Sequence, residues 1–206
     1  MMQLLVFLLA LGAVNLLFVT FQALVFKVAR LPVEQIGFGI PVVFKRRVNG
    51  AELKIGLLPT LAFVYSSAWL NAPRGKRALT ALAPWLAIGC IPPLLIDPAR
   101  AVRYGLMMWP RLLDGALDTE RAHALISRFW QVFSSDRIEA FALAMAFVVA
   151  LNLSPVPGLA GGHVLLALLG ARPEDRVAKI VTAVAWGLWF LLFGSWLVKL
   201  VSFLAR

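Results

Sequence analysis

The sequence Asn152-Leu-Ser-Pro-Val-Pro-Gly-Leu-Ala-Gly-Gly-His163 decides the fold of this chain. It lies between apolar runs, and its two prolines and three glycines are incompatible with a regular transmembrane helix. Within a bilayer, such a backbone is tolerated only where protein or a water-filled cavity satisfies its polar groups. The stretch is therefore either a turn between two helices or a broken helix that lines an intramembrane site.

The composition around this stretch is typical of a polytopic membrane protein. Of the 206 residues, 61% are hydrophobic, and the mean hydropathy is +0.86. The net charge of +10 would also suit nucleic acid. Because no RNA-binding motif or phosphate loop accompanies the charge, we expect no nucleic-acid partner and attribute it to cytoplasmic loops. The single cysteine, Cys90, excludes an internal disulfide and a thiolate zinc cluster.

The apolar runs predict a mainly α-helical membrane protein with about four transmembrane helices in one domain, residues 1–206. The first run, residues 3–26, is uncharged and long, and it lacks the basic start of a signal peptide. The other three runs are residues 78–96, 138–153 and 180–204. Residues 138–153 lead directly into the broken stretch. Residues 59–70 predict a short re-entrant or interfacial segment, and residues 97–136 predict an amphipathic one.

A β-hairpin is predicted after the first helix. Asn49-Gly50 lies between two runs rich in β-branched and aromatic residues. Asn-Gly is a strong hairpin signal because both central residues of a type I′ turn need positive φ. Alternation of Glu52 and Lys54 with apolar neighbours predicts that the hairpin lies at the membrane surface.

The charges of the loops predict the orientation. Residues 27–77 contain nine Lys or Arg against two acids, whereas residues 97–139 contain six of each. Because an excess of Lys and Arg marks the cytoplasmic side, the N-terminus is expected outside, and the hairpin and the broken helix inside. The expected location is the bacterial inner membrane.

Four segments together resemble the site-2 protease family of intramembrane zinc metalloproteases. The broken stretch is similar to the family's Asn-x-x-Pro-x-Pro-x-Leu-x-Gly-Gly segment on its third helix, which in the family carries an Asp before the two glycines. Ala29-Arg30 resembles the end of its zinc-binding helix. Ile36-Gly-Phe-Gly, Phe44-Lys-Arg-Arg47 and Ile55-Gly-Leu-Leu-Pro59 resemble its hairpin, and the segment from Arg77 to Leu86 resembles its second helix. The resemblance covers most of residues 15–170, and residues 180–204 form an additional helix.

The resemblance implies zinc chemistry that this sequence cannot supply. Family members bind zinc through His-Glu-x-x-His on the first helix and the Asp of the third, with the glutamate as general base. Aligned on Ala29-Arg30, the two histidine positions are Phe21 and Val25, and the glutamate position is Gln22. Aligned from Gly37, the two histidine positions are Leu16 and Thr20, and the glutamate position is Leu17. The Asp position is Ala160, so we expect no zinc, no other cofactor and no proteolysis.

The substrate-binding side of the family pattern is retained. The resemblance assigns substrate or partner binding to the broken stretch, at Asn152, Pro155, Pro157, Gly161, Gly162 and His163. It predicts a pseudoprotease that binds or scaffolds a transmembrane protein or peptide. Two alternatives remain open: a hydrolase with different chemistry, using Ser154, Thr20 or His163, and a structural subunit of a membrane complex. His123 is expected to be solvated, and Asn15 and Gln22 to form hydrogen bonds between helices.

Overall fold

The computed structural model describes residues 2–156, 159–171 and 175–205, and it is mainly α-helical. A two-stranded sheet follows the first helix. In chain order, the elements are α1 (Met2–Val28), β1 (Gln35–Val48), β2 (Ala51–Tyr65), α2 (Ser67–Leu70), α3 (Arg74–Gly89), α4 (Pro92–Leu95), α5 (Pro98–Leu106), α6 (Met108–Leu117), α7 (Thr119–Ser135), α8 (Arg137–Leu153), α9 (Ala160–Leu168) and α10 (Arg176–Leu204).

Three helical segments are long and apolar enough to cross a membrane. They are Leu11–Val28, Arg74–Leu95 and Arg176–Phe203. This finding agrees with an integral membrane protein. The predicted span at residues 138–153 corresponds to α8, which has 17 residues and is not among the three.

The chain forms two compact units. The first contains residues 1–88 and 163–173, and the second contains residues 89–162 and 174–206. The division passes within α3 and within α9, so each unit includes one part of both helices. The expected single domain stays a prediction.

The predicted hairpin is confirmed. Asn49 and Gly50 form its turn with φ of 50° and 86°, and β1 and β2 pair antiparallel with Val48 opposite Ala51. The strands are longer than expected because β2 continues to Tyr65. Most of the predicted interfacial segment, residues 59–70, is therefore strand, and only Ser67–Leu70 is helical.

The tip of the hairpin folds back beside its base. Residues 35–38 of β1 lie opposite two parts of β2, residues 62–65 and residues 52–55, and residues 52–55 also pair with residues 44–47 next to the turn. In β1 only Gly37 and Gly39 are buried, and every residue from Ile40 to Val48 is exposed. Residues 40–48 are therefore the exposed part of β1, and we call them and the facing residues of β2 the outer half of the hairpin.

Close contact between two glycines holds the bend of the hairpin. Gly39 has φ of 85°, a conformation that favours glycine. A Cβ atom added to Gly56 would collide with the carbonyl of Gly39. Larger residues at either position would push β1 and β2 apart at the bend.

Glu34 fastens the base of the hairpin to α2. Its carboxylate accepts hydrogen bonds from the Ser67 hydroxyl and from the Ser67 N–H. Its backbone N–H donates to Tyr65 O at 3.0 Å, and its carbonyl accepts from Glu52 N at 2.8 Å. The hydrogen bond from the Ser67 side chain is the main reason that the pKa of Glu34 is lowered.

Helix α1 ends in a Schellman motif. Leu31 N donates to Phe26 O at 2.8 Å, and Arg30 N donates to Lys27 O at 3.0 Å. Arg30 has φ of 54°, a position usually taken by glycine, and Phe26 and Leu31 are both buried. The Ala29-Arg30 segment therefore stops the helix and turns the chain toward β1.

In the second unit, α6 packs along the C-terminal half of α10. Carbonyls in the last turns of α6 accept hydrogen bonds from Ser195 Oγ, Trp196 Nε1 and Lys199 Nζ, which lie on one face of α10. The imidazole Nε2 of His123 lies 2.9 Å from Ser202 Oγ. His123 lies on α7, which packs beside the end of α10, where Ser202 is located. The expectation that His123 is merely solvated was therefore wrong.

We expect Gly56→Ala to destabilise the protein by about 2 kcal/mol or more, because the new methyl group overlaps the Gly39 carbonyl. Gly187→Ala on α10 is the matched control, since a Cβ atom there meets nothing within 4 Å. Thermal unfolding in a mild detergent measures both variants. Equal melting temperatures for the two variants would contradict the proposed glycine contact.

Candidate functional site

The broken helix predicted from the sequence is present in the structure. Helix α8 ends at Leu153, and α9 begins at Ala160. Between them, Val156 N donates to Ser154 O at 2.7 Å and Leu159 N donates to Val156 O at 3.0 Å. These turns satisfy backbone groups that an apolar environment would otherwise leave unpaired.

The break lies beside the middle of α10. Val156 and Leu159 pack against a buried cluster that includes Trp189, the fourteenth of the 29 residues of α10. Trp109 joins the two elements: its Nε1 donates to Ser154 Oγ at 2.6 Å, and its ring centroid lies 5.7 Å from that of Trp189.

Glycine is required where α9 turns back onto the end of α8. A Cβ atom added to Gly161 would collide with the carbonyl groups of Leu153 and Ser154. Gly161 therefore allows close packing of the two halves of the broken helix. This contact explains the glycine without a ligand, although the same residue was predicted to bind a partner.

The other predicted binding residues have different environments. Asn152 donates from Nδ2 to Val148 O at 2.8 Å, so its amide group is bound within α8. Pro155 is exposed and Gly162 is buried. Pro157 lies outside the described residues. His163 belongs to the first unit, whereas Asn152, Pro155, Gly161 and Gly162 belong to the second.

An open groove adjoins the start of the break. It has a volume of about 200 Å³ and lies between α4, α5 and α8. Its lining includes the small residues Gly105, Ala146 and Ala150, together with larger apolar residues such as Leu106 and Leu153. Such a surface accepts apolar groups and offers little for polar recognition.

In neither of the two registers do the residues that align with the zinc-binding motif of site-2 proteases offer metal ligands: one gives Phe21, Gln22 and Val25, and the other gives Leu16, Leu17 and Thr20. Phe21 and Val25 are half-buried on α1, Gln22 is buried beside them, and Ala160 begins α9. Within residues 2–156, 159–171 and 175–205, no group of three or more His, Cys, Asp or Glu residues could hold a metal ion. The residues at these positions do not fit zinc.

Gln22 instead completes the hydrogen bonding of α3. Pro84 lies inside α3 and has no N–H, so the Thr80 carbonyl lacks its usual donor four residues later. The Gln22 amide supplies that donor, with Nε2 3.1 Å from Thr80 O. Gln22 and Thr80 are both buried, with 6% and 1% exposure. The predicted bond between helices is confirmed for Gln22, whereas Asn15 bonds to Pro59 O of β2 at 2.7 Å.

Trp69 connects this hydrogen bond to His163. Trp69 Nε1 donates to Thr80 Oγ1 at 2.8 Å, and Thr80 Oγ1 donates to Lys76 O at 2.7 Å. The rings of Trp69 and His163 meet edge to face, with centroids 5.7 Å apart. His163 Nδ1 is buried without a hydrogen-bond partner. We call Gln22, Trp69, Thr80, Pro84 and His163 the Gln22 network.

The hydroxyl groups considered as alternative nucleophiles are bound to backbone carbonyls. Ser154 Oγ donates to Ala150 O at 2.9 Å while it accepts from Trp109. Thr20 Oγ1 donates to Leu16 O at 2.8 Å. A nucleophilic hydroxyl needs a base as its proton acceptor, and neither hydroxyl has one among its hydrogen-bond partners.

Sequence reasoning did not identify Thr80, Trp69 or Trp109 as members of these sites. Pro84 within an apolar helix was a usable signal, because a proline always frees a carbonyl one turn earlier. No comparable signal pairs Trp109 with Ser154, which are 45 residues apart.

Gln22 and Pro84 are expected to be energetically coupled. Gln22→Leu should cost about 1–3 kcal/mol because the Thr80 carbonyl loses its donor, and Gln22→Glu should cost more because a carboxylate cannot donate. In a Pro84→Ala background, the backbone N–H restored by the alanine can bond to Thr80 O, so both penalties should shrink. Unfolding in detergent measures the double-mutant cycle.

Asn15→Leu is the matched control for this cycle, because its partner is Pro59 and not α3. Its penalty should be the same with and without Pro84. A Gln22 penalty that is also unchanged by Pro84→Ala would show that the freed carbonyl is not what Gln22 stabilises.

Ser154→Ala should destabilise the second unit by about 1–3 kcal/mol, because the Nε1 of half-buried Trp109 then lacks an acceptor. Combining it with Trp109→Phe removes the unpaired donor and should recover part of the loss. Ser134→Ala is the control, since this exposed hydroxyl bonds only within α7. Additive effects of the Trp109 and Ser154 substitutions would contradict the pairing.

Comparison with known proteins leaves the family of this chain unassigned. No protein-family model, curated protein or solved structure matches it. The resemblance to site-2 proteases therefore depends on the sequence motifs quoted above.

Proposed function

We propose that this chain is a membrane pseudoprotease. It has a scaffold like that of site-2 proteases, has lost zinc-dependent hydrolysis, and binds or scaffolds a transmembrane partner. Its proposed location is the bacterial inner membrane, with the N-terminus outside. Three segments long and apolar enough to span a membrane support integration into a bilayer.

The hydrogen bond from Gln22 to Thr80 is the observation that carries this proposal. In the register set by Ala29-Arg30, Gln22 occupies the position of the catalytic glutamate. Its amide donates to a buried carbonyl that Pro84 leaves without a partner. A carboxylate can fill this role only when protonated, whereas a general base must be ionised. The present contact therefore favours a structural residue over a catalytic one.

The proposed topology has four spans, with α8 as the third. At about 1.5 Å per residue, the 17 residues of α8 extend roughly 25 Å, close to the thickness of a bilayer core. Only Arg137 and Glu139 in its first turn are charged. The surplus of Lys and Arg in residues 27–77 supports a cytoplasmic hairpin.

The outer half of the hairpin supports partner binding at the membrane surface. Neighbouring residues of a strand point to opposite faces, and Val42 and Val43 are both exposed, as are Leu57 and Leu58. Apolar side chains therefore project from both faces, which water disfavours. A transmembrane segment in extended form can pair with the edge of such a hairpin through main-chain hydrogen bonds.

A structural subunit of a membrane complex is the second candidate. The long helix α10 favours it, because only 11% of its apolar span is buried. A hydrolase that uses Ser154 or Thr20 is less well supported, because both hydroxyls donate to carbonyls of their own helices.

We expect the purified full-length protein to contain well below one zinc per chain and to leave a model transmembrane substrate uncleaved. A photo-crosslinking residue at Val43 or Pro155 should nevertheless capture that substrate in reconstituted vesicles. Both positions are exposed and lie in the hairpin and the broken stretch, to which the resemblance assigns substrate binding. Elemental analysis, gel electrophoresis and mass spectrometry measure these three outcomes.

Leu117 provides the crosslinking control, because it is 87% exposed but belongs to α6. Equal capture from Leu117 would favour a general docking surface over the hairpin and the broken stretch. One equivalent of zinc, or cleavage that depends on His163, would refute the pseudoprotease.

A further inference from the structure

The outermost strand of the hairpin carries three consecutive cations. Residues 52–55 of β2 pair with residues 35–38 of β1 on one side and with residues 44–47 on the other. No strand in the described parts of the chain pairs with the free edge of residues 44–47. This segment, which we call the basic edge, consists of Phe44, Lys45, Arg46 and Arg47, and all four residues are exposed. Its outward N–H and C=O groups can therefore pair with a further strand.

Lys45 and Arg47 of the basic edge lie on one face of the hairpin, because alternate residues of a strand share a face. Lys45 lies directly opposite Lys54, and Arg47 lies opposite Glu52. The Glu52 carboxylate is paired with Lys54 at 3.3 Å. At these two positions the face contains three cations and a single acid, and like charges directly opposite each other on two strands are unfavourable.

The cations of the basic edge have no acidic partner within the described parts of the chain. None of the ion pairs there includes Lys45, Arg46 or Arg47. The only two acids in residues 27–77 are engaged elsewhere, because Glu52 is paired with Lys54 and Glu34 accepts hydrogen bonds from Ser67. The basic edge therefore has a positive charge that an acidic partner complements.

We propose that the basic edge binds an acidic segment of the partner as an added strand. Main-chain hydrogen bonds would align the segment with residues 44–47, and two carboxylates two positions apart would face Lys45 and Arg47. Arg46 points to the other face, where apolar Leu53 lies opposite it. The residue between the two acids would therefore lie on that more apolar face.

Two other occupants fit the basic edge less well. A second copy of this chain would bring its own cations against these, and charged side chains on an edge strand oppose such pairing. Anionic lipid headgroups would neutralise the cations but would not pair in register with the backbone of the edge. An acidic strand supplies both the charge and the main-chain hydrogen bonds, so it is the occupant that the basic edge selects.

This inference rests on the proposed binding of a partner at the hairpin, and it names the chemistry of that partner. The two proposals can fail separately. Capture of a segment regardless of its charge would refute the acidic preference and leave partner binding intact. Failure to capture any segment would refute both.

The test uses the full-length protein with a photo-crosslinking residue at Val43, in vesicles of phosphatidylcholine alone. The probe is a model transmembrane peptide with a short flanking segment that contains two Glu residues two positions apart. We expect this segment to be captured about tenfold better than the same segment with Lys, because two attractive pairs replace two repulsive ones. Moving the two Glu to adjacent positions places them on opposite faces and should weaken capture. Two successive prolines remove main-chain donors and should also weaken it.

Variants of the basic edge test the same preference from the side of the protein. Lys45→Gln combined with Arg47→Gln should abolish the preference for the acidic segment, and Lys45→Glu combined with Arg47→Glu should reverse it. The matched control combines Lys27→Gln with Arg74→Gln, since both are exposed cations outside the basic edge and outside the ion pairs of the described residues. This control should keep the preference.

Four outcomes would overturn the proposal. Equal loss of preference in the control would mean general attraction between charges, and unchanged preference in the charge-reversed variant would place binding elsewhere. Crosslinks from Val43 to a second copy of the chain would assign the basic edge to a dimer. Complete loss of the captured segment in vesicles that contain phosphatidylglycerol would assign the basic edge to the lipid surface.

Discussion

A carbonyl group without its helical donor links the first two long helices of the first unit. Pro84 has no N–H to offer Thr80 O, and the Gln22 amide takes its place from α1. Unpaired backbone groups are costly in apolar surroundings, so this hydrogen bond favours one pairing of α1 with α3. Trp69 and His163 adjoin it through the Thr80 hydroxyl and the Trp69 ring. Gln22, which in one alignment takes the position of a catalytic base, thus belongs to the Gln22 network and has a structural role there.

In the second unit, the broken helix also has backbone groups that need hydrogen-bond partners. Here the interruption between α8 and α9 is stabilised by short turns, by the hydrogen bond from Trp109 to Ser154, and by close approach at Gly161. These contacts use the hydroxyl and the glycine that a ligand would otherwise engage. The proposed partner binding is therefore better assigned to exposed features, such as the outer half of the hairpin and Pro155, than to the backbone contacts inside the break.

Features that depend on neighbouring residues were predictable from the sequence, whereas features that depend on distant contacts were not. Asn49-Gly50 requires positive φ at two successive residues, so the hairpin turn was predictable from neighbours alone. The end of β2 was not, because residues 62–65 are strand only through pairing with residues 35–38. His123 likewise has an ordinary surface pattern, and its contact with α10 depends on residues about 76–79 positions away.

The sequence by itself determined the apolar helices, the hairpin turn, the break between Leu153 and Ala160, and the absence of histidine and carboxylate from residues 3–26 of the first apolar run. Each depends on composition or on the chemistry of single residues. Only the tertiary structure decided which groups the polar side chains of α1 and of the break contact, because hydrogen bonds from Gln22 to Thr80 and from Trp109 to Ser154 join residues 58 and 45 positions apart. Periodicity predicts which face of a helix is buried, but the donor that reaches a freed carbonyl depends on how helices pack.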